Sequence, residues 1–197
     1  MTQQFWLENA ADFRLRPIEA SDLEHTAALC DICVGKNLYT QAKIRSAMEN
    51  RDHYFYLLQT RAGESVGYIY FYLTDVPAVA RDARVDRAML ESRCADPGGQ
   101  VCKIQSVAGL ADYRGQGLAA QMVRFALQQI RPRQIQGAFA VCWKMGQVVP
   151  LEKTLRECGF AFLTEAEKVW FDEEELFCPY CGGRCHCNAE IYYKQLN

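Results

Sequence analysis

No run of the chain approaches the roughly 18 uninterrupted apolar residues of a membrane-spanning helix. The first thirty residues lack the basic start and the apolar core of a secretory signal. A basic excess is missing too: 22 Lys and Arg stand against 24 Asp and Glu, a formal charge of −2, so no global field points to nucleic acid. These absences fit a cytoplasmic protein, where disulfides are rare and thiols stay reduced. With 197 residues, half of them apolar, the chain can bury one sizeable core, and its length favours a single domain over residues 1–197.

Ten cysteines in such a setting call for sorting. Cys94, Cys102, Cys142 and Cys158 are isolated and read as small buried hydrophobes. Cys30 and Cys33 form a CxxC, but they fall in an apolar-periodic run with Leu23, Ala27 and Val34, so they read as core-facing residues of a helix rather than a redox pair or half a metal site. The run CPYCGGRCHC differs in kind, because it places Cys178, Cys181, Cys185 and Cys187 in a loop that Pro179, Gly182 and Gly183 let fold around one centre. Thiolates suit a soft or borderline metal, and zinc is the first choice. The spacing does not follow the ferredoxin patterns of iron–sulfur proteins. Four thiolates fill a tetrahedral shell and leave no position for water, so this zinc is expected to be structural, with His186 as the alternative fourth ligand.

Chemistry must then come from elsewhere. Phe13, Leu15 and Pro17 alternate with Arg14 and Arg16, the period of a strand. Ser21 and Glu24 are spaced as a capping box that opens a helix, and a shorter helix is expected over residues 41–50. Residues 54–59 and 65–74 are aromatic and β-branched, two strands turning at Ala62 and Gly63. Asp75 to Pro77 ends the second strand, residues 78–93 read as helical, and Pro97 to Gly99 close that excursion before a strand over 101–108.

A helix with apolar positions at Ala119, Met122, Val123, Ala126, Leu127 and Ile130 follows the run VAGLADYRGQGLA, residues 107–119. Gly115 and Gly117 at its mouth would expose backbone N–H groups at the positive end of the helix dipole, a phosphate site. Residues 115–120 nearly spell the dinucleotide fingerprint with alanine in third place, yet no Asp or Glu occurs from Tyr113 through Leu151 to clamp a ribose. Arg114, Arg124, Arg131, Arg133 and Lys144 give that window a charge of +5, a field suited to a ligand with several phosphates. The plainer alternative is a tight turn followed by a solvated basic face.

The run YRGQGLA, residues 113–119, resembles the acetyl-CoA-binding motif R/Q-x-x-G-x-G/A of the GCN5-related N-acetyltransferases (GNAT), with Arg114, Gly117 and Ala119 on the defining positions. The resemblance extends along most of the chain: a first strand at Phe13, two helices, a meander, the motif helix, a strand over 138–143, then Gly159 and Phe160 before a final strand pair. It implies an α/β (α+β) fold with a central mixed, mostly antiparallel twisted sheet flanked by helices, which puts the zinc-binding loop read from its cysteines, residues 178–187, between the last two strands. It also implies acetyl-CoA as cosubstrate. The amides of Gly115, Gln116, Gly117, Leu118 and Ala119 would cradle the pyrophosphate, while the strand around Val107 and Gly109 pairs with the pantetheine arm and supplies a backbone N–H to the thioester carbonyl.

Many family members carry a tyrosine four residues before the Gly-Phe pair to protonate the leaving thiolate; here that place is Leu155. Tyr192, Tyr193, Glu190 and Glu152 are the substitute candidates, and the catalytic acid and base stay unassigned. The amine acceptor, small molecule or protein, is equally open, as is the oligomeric state. Six acids among residues 165–175 form a possible cation-gathering rim, with a solvated loop as the plainer alternative, and the 78–99 excursion is either a lid or a packed helix. Two rival functions accompany the transferase: an inactive acetyl-CoA-binding regulator, motivated by Leu155, and a zinc-dependent interaction module on the same scaffold.

Overall fold

The computed structural model describes residues 4–8, 10–96 and 98–196. Pro97, expected to help end the 78–99 excursion, lies outside them. Among the described residues eight strands form one sheet in the order β1-β2-β3-β4-β5-β6-β8-β7: β1 (Phe5–Leu7), β2 (Ala10–Pro17), β3 (His53–Thr60), β4 (Ser65–Thr74), β5 (Val101–Gly109), β6 (Gly137–Lys144), β7 (Ala161–Ala166) and β8 (Asn188–Gln195). Every pair is antiparallel except β5 with β6, so the mixed, mostly antiparallel sheet expected from the sequence is present. The three residues of β1 have too little periodicity of their own to read as a strand without their partner β2.

Alternation along β4 sets the two layers. Ile69, Phe71 and Leu73 face a core with Met122, Val123 and Phe125 of α5 (Leu118–Ile130), whereas Tyr68 and Tyr70 face Leu29 and Cys30 of α1 (Leu23–Val34) and Ile44 of α2 (Gln41–Glu49). The same faces sort the cysteines: Cys30, Cys102, Cys142 and Cys158 are buried, while Cys33 and Cys94 are half-buried. Among the described residues no helix is long and apolar enough to cross a membrane.

Three local expectations change. The capping box at the first helix uses Glu19 and Asp22 rather than Ser21 and Glu24, because Arg16 on β2 grips the Asp22 carboxylate at 2.6 and 2.8 Å. That pairing holds the carboxyl of Asp22 below its usual range and aims it at the Glu19 N–H, 2.7 Å away. The helical reading of 78–93 becomes two pieces, α3 (Val76–Ala83) and α4 (Arg87–Glu91), divided at Arg84 in the left-handed region (φ 55°) and capped by Asp75 and Asp86. Both pack on β6 and β8 through Val79, Ala83 and Leu90 against Phe139, Ile191 and Tyr193.

The third change is at the cysteine loop. The first strand of the final pair stops at Ala166, well short of the cysteines, and the chain leaves the sheet through Lys168 (φ 48°). Residues 167–187 are therefore a long excursion between β7 and β8 rather than the tip of a regular hairpin, and they fold back onto the α1–α2 connection. The N–H of Phe177 donates to the Lys36 carbonyl at 3.0 Å, Asn37 Nδ2 donates to the Glu175 carbonyl at 3.1 Å, and Lys43 meets Glu173 at 2.9 Å.

Gly35 ends α1 with φ 119°, and a Cβ there would lie 2.8 Å from the Phe177 carbonyl oxygen and 3.0 Å from Pro179 Cδ. Gly35→Ala is therefore expected to cost about 2 kcal/mol and to lower Tm by roughly 4–8 °C. Thermal denaturation checks this against Gly183→Ala, whose Cβ meets nothing within 4 Å and which should leave Tm unchanged.

Candidate active site

β5 and β6 are paired only over Cys102–Ile104 and Ala138–Ala140. Beyond these residues β5 continues to Gly109 with β4 alone, and β6 continues to Lys144 with β8 alone. The register between β4 and β5 shifts so that Ser106 opposes Tyr70 and Ile104 opposes Phe71, which leaves Gln105 as a bulge. A bulge bends its strand and strengthens the local twist. Here it coincides with the parting of the two strands, and a cleft of about 880 Å³ opens between them. The freed side of β5 over residues 105–109 is a strand edge whose backbone groups have no strand partner there.

At one end of the cleft lies the mouth of α5. Gly115 (φ 77°) and Gly117 (φ 75°) are both left-handed, and a Cβ on either would meet nothing within 4 Å. Gly117 is the N-cap and contributes no side-chain cap, so the first-turn N–H groups face open space. Arg114 is held against β5 by its Nε, which donates to the Gly109 carbonyl at 3.1 Å. Of the residues singled out in the sequence, Val107, Gly109, Arg114, Gly115, Gly117, Leu118 and Ala119 line the cleft, while Gln116 turns away, its Nε2 directed at the Asp112 carbonyl at 3.5 Å.

The opposite end had no contiguous signature. Tyr39 is buried among Phe55, Tyr68 and Tyr70, with centroids 5.9 to 6.4 Å away, and its hydroxyl lies near Gln105 and Ser106. Burial pushes that hydroxyl well above its ordinary range, so it stays neutral. Ile32, Cys33 and Leu38 form one wall; Trp143, Met145, Trp170, Leu176, Pro179 and Tyr180 form the other. Two of the four loop cysteines, Cys178 and Cys185, lie on the cleft wall itself.

The four sulfurs of Cys178, Cys181, Cys185 and Cys187 all lie within 4.8 Å of one another, with Cys181–Cys187 at 3.5 Å and Cys178–Cys187 at 3.9 Å. A tetrahedron with metal–sulfur bonds of about 2.3 Å has sulfur–sulfur edges near ~3.8 Å. The indole N–H of Trp143 is buried with no hydrogen-bond partner and borders Cys187, where a metal-bound thiolate would accept it. The donor set thus fits a closed thiolate site. His186 is not part of it: its ring packs edge-on against Phe171 with centroids 5.1 Å apart. The excursion owns little core here, Leu176 and three of the cysteines with its own Trp170, leaning on Leu38 and Trp143.

The candidate acids are elsewhere. Leu155 is fully buried in the core, and Tyr192, Tyr193, Glu190 and Glu152 are not among the cleft-lining residues. Tyr192 is fully buried and donates to Glu190 at 2.6 Å. Nor do the acids of residues 165–175 form a rim. Glu165 is paired with Lys144 at 2.5 Å, Asp172 with Arg84, and Glu173 with Lys43, and none of the six lines the cleft. No described residue of the 78–99 excursion lines it either, which favours the packed helix over the lid.

A family model described as Acetyltransferase (GNAT) family matches residues 21–160. No curated protein sequence matches the chain. Among solved structures, Arabidopsis thaliana NAA60 in complex with a bisubstrate analogue superposes with a TM-score of 0.68 at 13% identity, covering 94% of this chain and 99% of that one. Mosquito arylalkylamine N-acetyltransferase like 5b gives 0.62 at 14% identity over 93% and 100%. The ribosomal-protein-S18-alanine N-acetyltransferase from Escherichia coli gives 0.61 at 11% identity over 94% and 94%. At such identities the likeness is one of fold.

Proposed function

The chain belongs to the acetyltransferase (GNAT) family of enzymes, and from that premise we propose that it transfers the acetyl group of acetyl-CoA to an amine by direct attack, as one domain over residues 1–197 with a structural zinc in its 178–187 knuckle. The observation that carries this reading is the parting of β5 from β6, which joins an uncapped, glycine-lined helix mouth to an unpaired strand edge in one cleft.

Each end of that cleft has a role. The diphosphate is held by the amides of Gly115 to Ala119, where a helix start offers unsatisfied donors and positive potential. The pantetheine arm runs along Gln105 to Gly109 like an added strand, and a backbone N–H of this edge polarises the thioester carbonyl and stabilises the oxyanion as the amine attacks. The acceptor enters from the metal-loop end and must lose a proton from an ammonium whose ordinary pKa runs from about 8 for an α-amino group to about 10.4 for a lysine-like amine. Solved relatives whose names specify ribosomal-protein-S18-alanine and arylalkylamine N-acetylation make an amine acceptor the consistent choice. Zinc, when bound, supplies cross-linking of the loop and no open coordination position. A cytoplasmic location fits the reduced thiols such a site requires.

The test is release of free CoA thiol when protein, acetyl-CoA and a panel of amines are mixed, with the acetylated product identified by mass spectrometry. Amine-dependent thiol release is expected. Acetyl-CoA binding without release for any amine would favour the regulator reading, to which the apolar Leu155 gives its one specific support.

Charge reversal at Arg114 gives a second check. Arg114→Glu should weaken acetyl-CoA binding more at low than at high ionic strength, because part of the loss is screened repulsion across an exposed site. A ratio of affinities that does not change with salt would count against a Coulombic role.

A further inference from the structure

Resting on the transferase reading, we propose that Tyr39 is a catalytic residue, whose hydroxyl donates a hydrogen bond to the thioester oxygen of acetyl-CoA and shares the developing oxyanion with the backbone N–H of the β5 edge. Gly109 stands beside the helix mouth, where Arg114 Nε donates to its carbonyl at 3.1 Å, so an arm laid along β5 from the diphosphate runs toward Gln105. The thioester therefore arrives at the bulge end, where the Tyr39 hydroxyl lies near Gln105 and Ser106. All three residues line the cleft.

Packing holds the hydroxyl there. Tyr39 belongs to the α1–α2 connection and is 7% exposed, with its ring met edge-on by Phe55, Tyr68 and Tyr70. A ring so packed keeps one rotamer. Its two polar neighbours have hydroxyl partners of their own: the Tyr72 hydroxyl lies 3.4 Å from Gln105 Oε1, and the Tyr68 hydroxyl 3.0 Å from Ser106 Oγ. The Tyr39 proton is thereby left for an acceptor in the cleft. Burial keeps the hydroxyl neutral, which suits a fixed donor rather than an acid that must give its proton away.

The other walls favour this side. Cys178 and Cys185 line the cleft from the metal loop, and four thiolates outweigh the charge of one zinc ion, so that wall repels an oxyanion. Leu155, on α6 (Glu152–Glu157), offers no hydroxyl from the remaining side. When the amine nitrogen attacks, the π pair of the C=O bond moves onto oxygen, where Tyr39 and the backbone N–H meet it. The pair returns as the C–S bond breaks, and sulfur leaves with that bond's electrons and takes up the proton the amine gives up. Tyr39 keeps its own proton throughout.

Isotope-edited infrared spectroscopy of carbonyl-labelled acetyl-CoA bound to the zinc-loaded full chain reads this contact without any acceptor. The carbonyl band should lie below that of free acetyl-CoA in water, and Tyr39→Phe should lose roughly half of the displacement, since one of two donors is gone. Tyr39→3-fluorotyrosine, a stronger donor of nearly the same shape, should enlarge it. Tyr68→Phe removes a neighbouring hydroxyl that does not line the cleft, and it should leave the band in place. For any panel amine that releases CoA thiol, Tyr39→Phe should lower kcat about a hundredfold. Its acetyl-CoA Kd should change by less than about twofold, because a donor to developing charge binds the transition state better than the ground state. An undisplaced band in the wild type, equal displacement in Tyr39→Phe, no change with fluorotyrosine, or an equal loss in Tyr68→Phe would overturn the assignment and leave the transferase reading standing. Acetyl-CoA that does not bind the wild type at all would overturn both.

Discussion

Gly117→Glu is expected to abolish acetyl-CoA binding, raising Kd by more than about a hundredfold, or ~2.7 kcal/mol. Gly117 is the left-handed N-cap of α5, and the space that a Cβ would enter there is open. A carboxylate projecting into it sits where the diphosphate charge is proposed to lie. Two unit charges ~4 Å apart near a protein surface repel by about 4 kcal/mol. The core beneath the helix start is untouched, so the variant should stay folded. Backbone strain is a separate matter, since any L side chain at φ 75° costs roughly 1–2 kcal/mol. Gly117→Ala isolates that part: its Tm should fall by about as much as that of the glutamate variant, while most of its acetyl-CoA affinity survives. Calorimetry on the pair separates the two, and an unchanged affinity in Gly117→Glu would remove the phosphate site from the account.

Cys185→Ser should strip the metal and unmake the acceptor wall. Cys185 is 1% exposed, lies within 4.8 Å of the other three sulfurs and lines the cleft. A structural zinc contributes apparent binding free energy of about 10–16 kcal/mol to the fold around it. The buried apolar residues of the excursion here are few, Leu176 and three of the cysteines with Trp170 packed against them, so the metal is expected to supply much of its order. Elemental analysis should find one zinc per chain in the wild type and almost none in the variant. The acceptor KM should rise about tenfold or more, because Trp170, Leu176 and Tyr180 lose their positions. Acetyl-CoA affinity should change by less than about twofold, since the helix mouth is a different element. Equal loss of both would mean that the clamp onto Lys36 and Lys43 supports the whole fold. Wild type without stoichiometric zinc would contradict the metal assignment.

The helix mouth and the metal loop were legible because each is contiguous: Arg114 to Ala119 and Cys178 to Cys187 carry their chemistry in adjacent positions. The central strands were legible for the related reason that alternation along β4 is a local property. The acceptor wall was not, since Ile32, Tyr39, Gln105, Trp143 and Tyr180 come from five separated segments that meet only when β5 and β6 part. The pairing of the acidic stretch was hidden for the same cause. The partners are remote in the chain, Lys43 lying 130 residues from Glu173, so three of the six acids, Glu165, Asp172 and Glu173, are cross-links rather than a free field. The capping box slipped because Arg16, on a neighbouring strand, competes for Asp22. Leu155 was rightly an exception to the family pattern, and the fold uses it as core.

The central claim is that acetyl-CoA occupies the wedge between β5 and β6, and a crystal structure of the complex with acetyl-CoA tests it most directly. The diphosphate should lie within hydrogen-bond distance of the amides of Gly115 to Ala119, with the pantetheine arm antiparallel or parallel to Gln105–Gly109 and the acetyl group facing Trp143 and Tyr180. A diphosphate seated instead in the second cavity, between Arg124, Arg131 and Lys194 on the far side of α5 and α6, would contradict it.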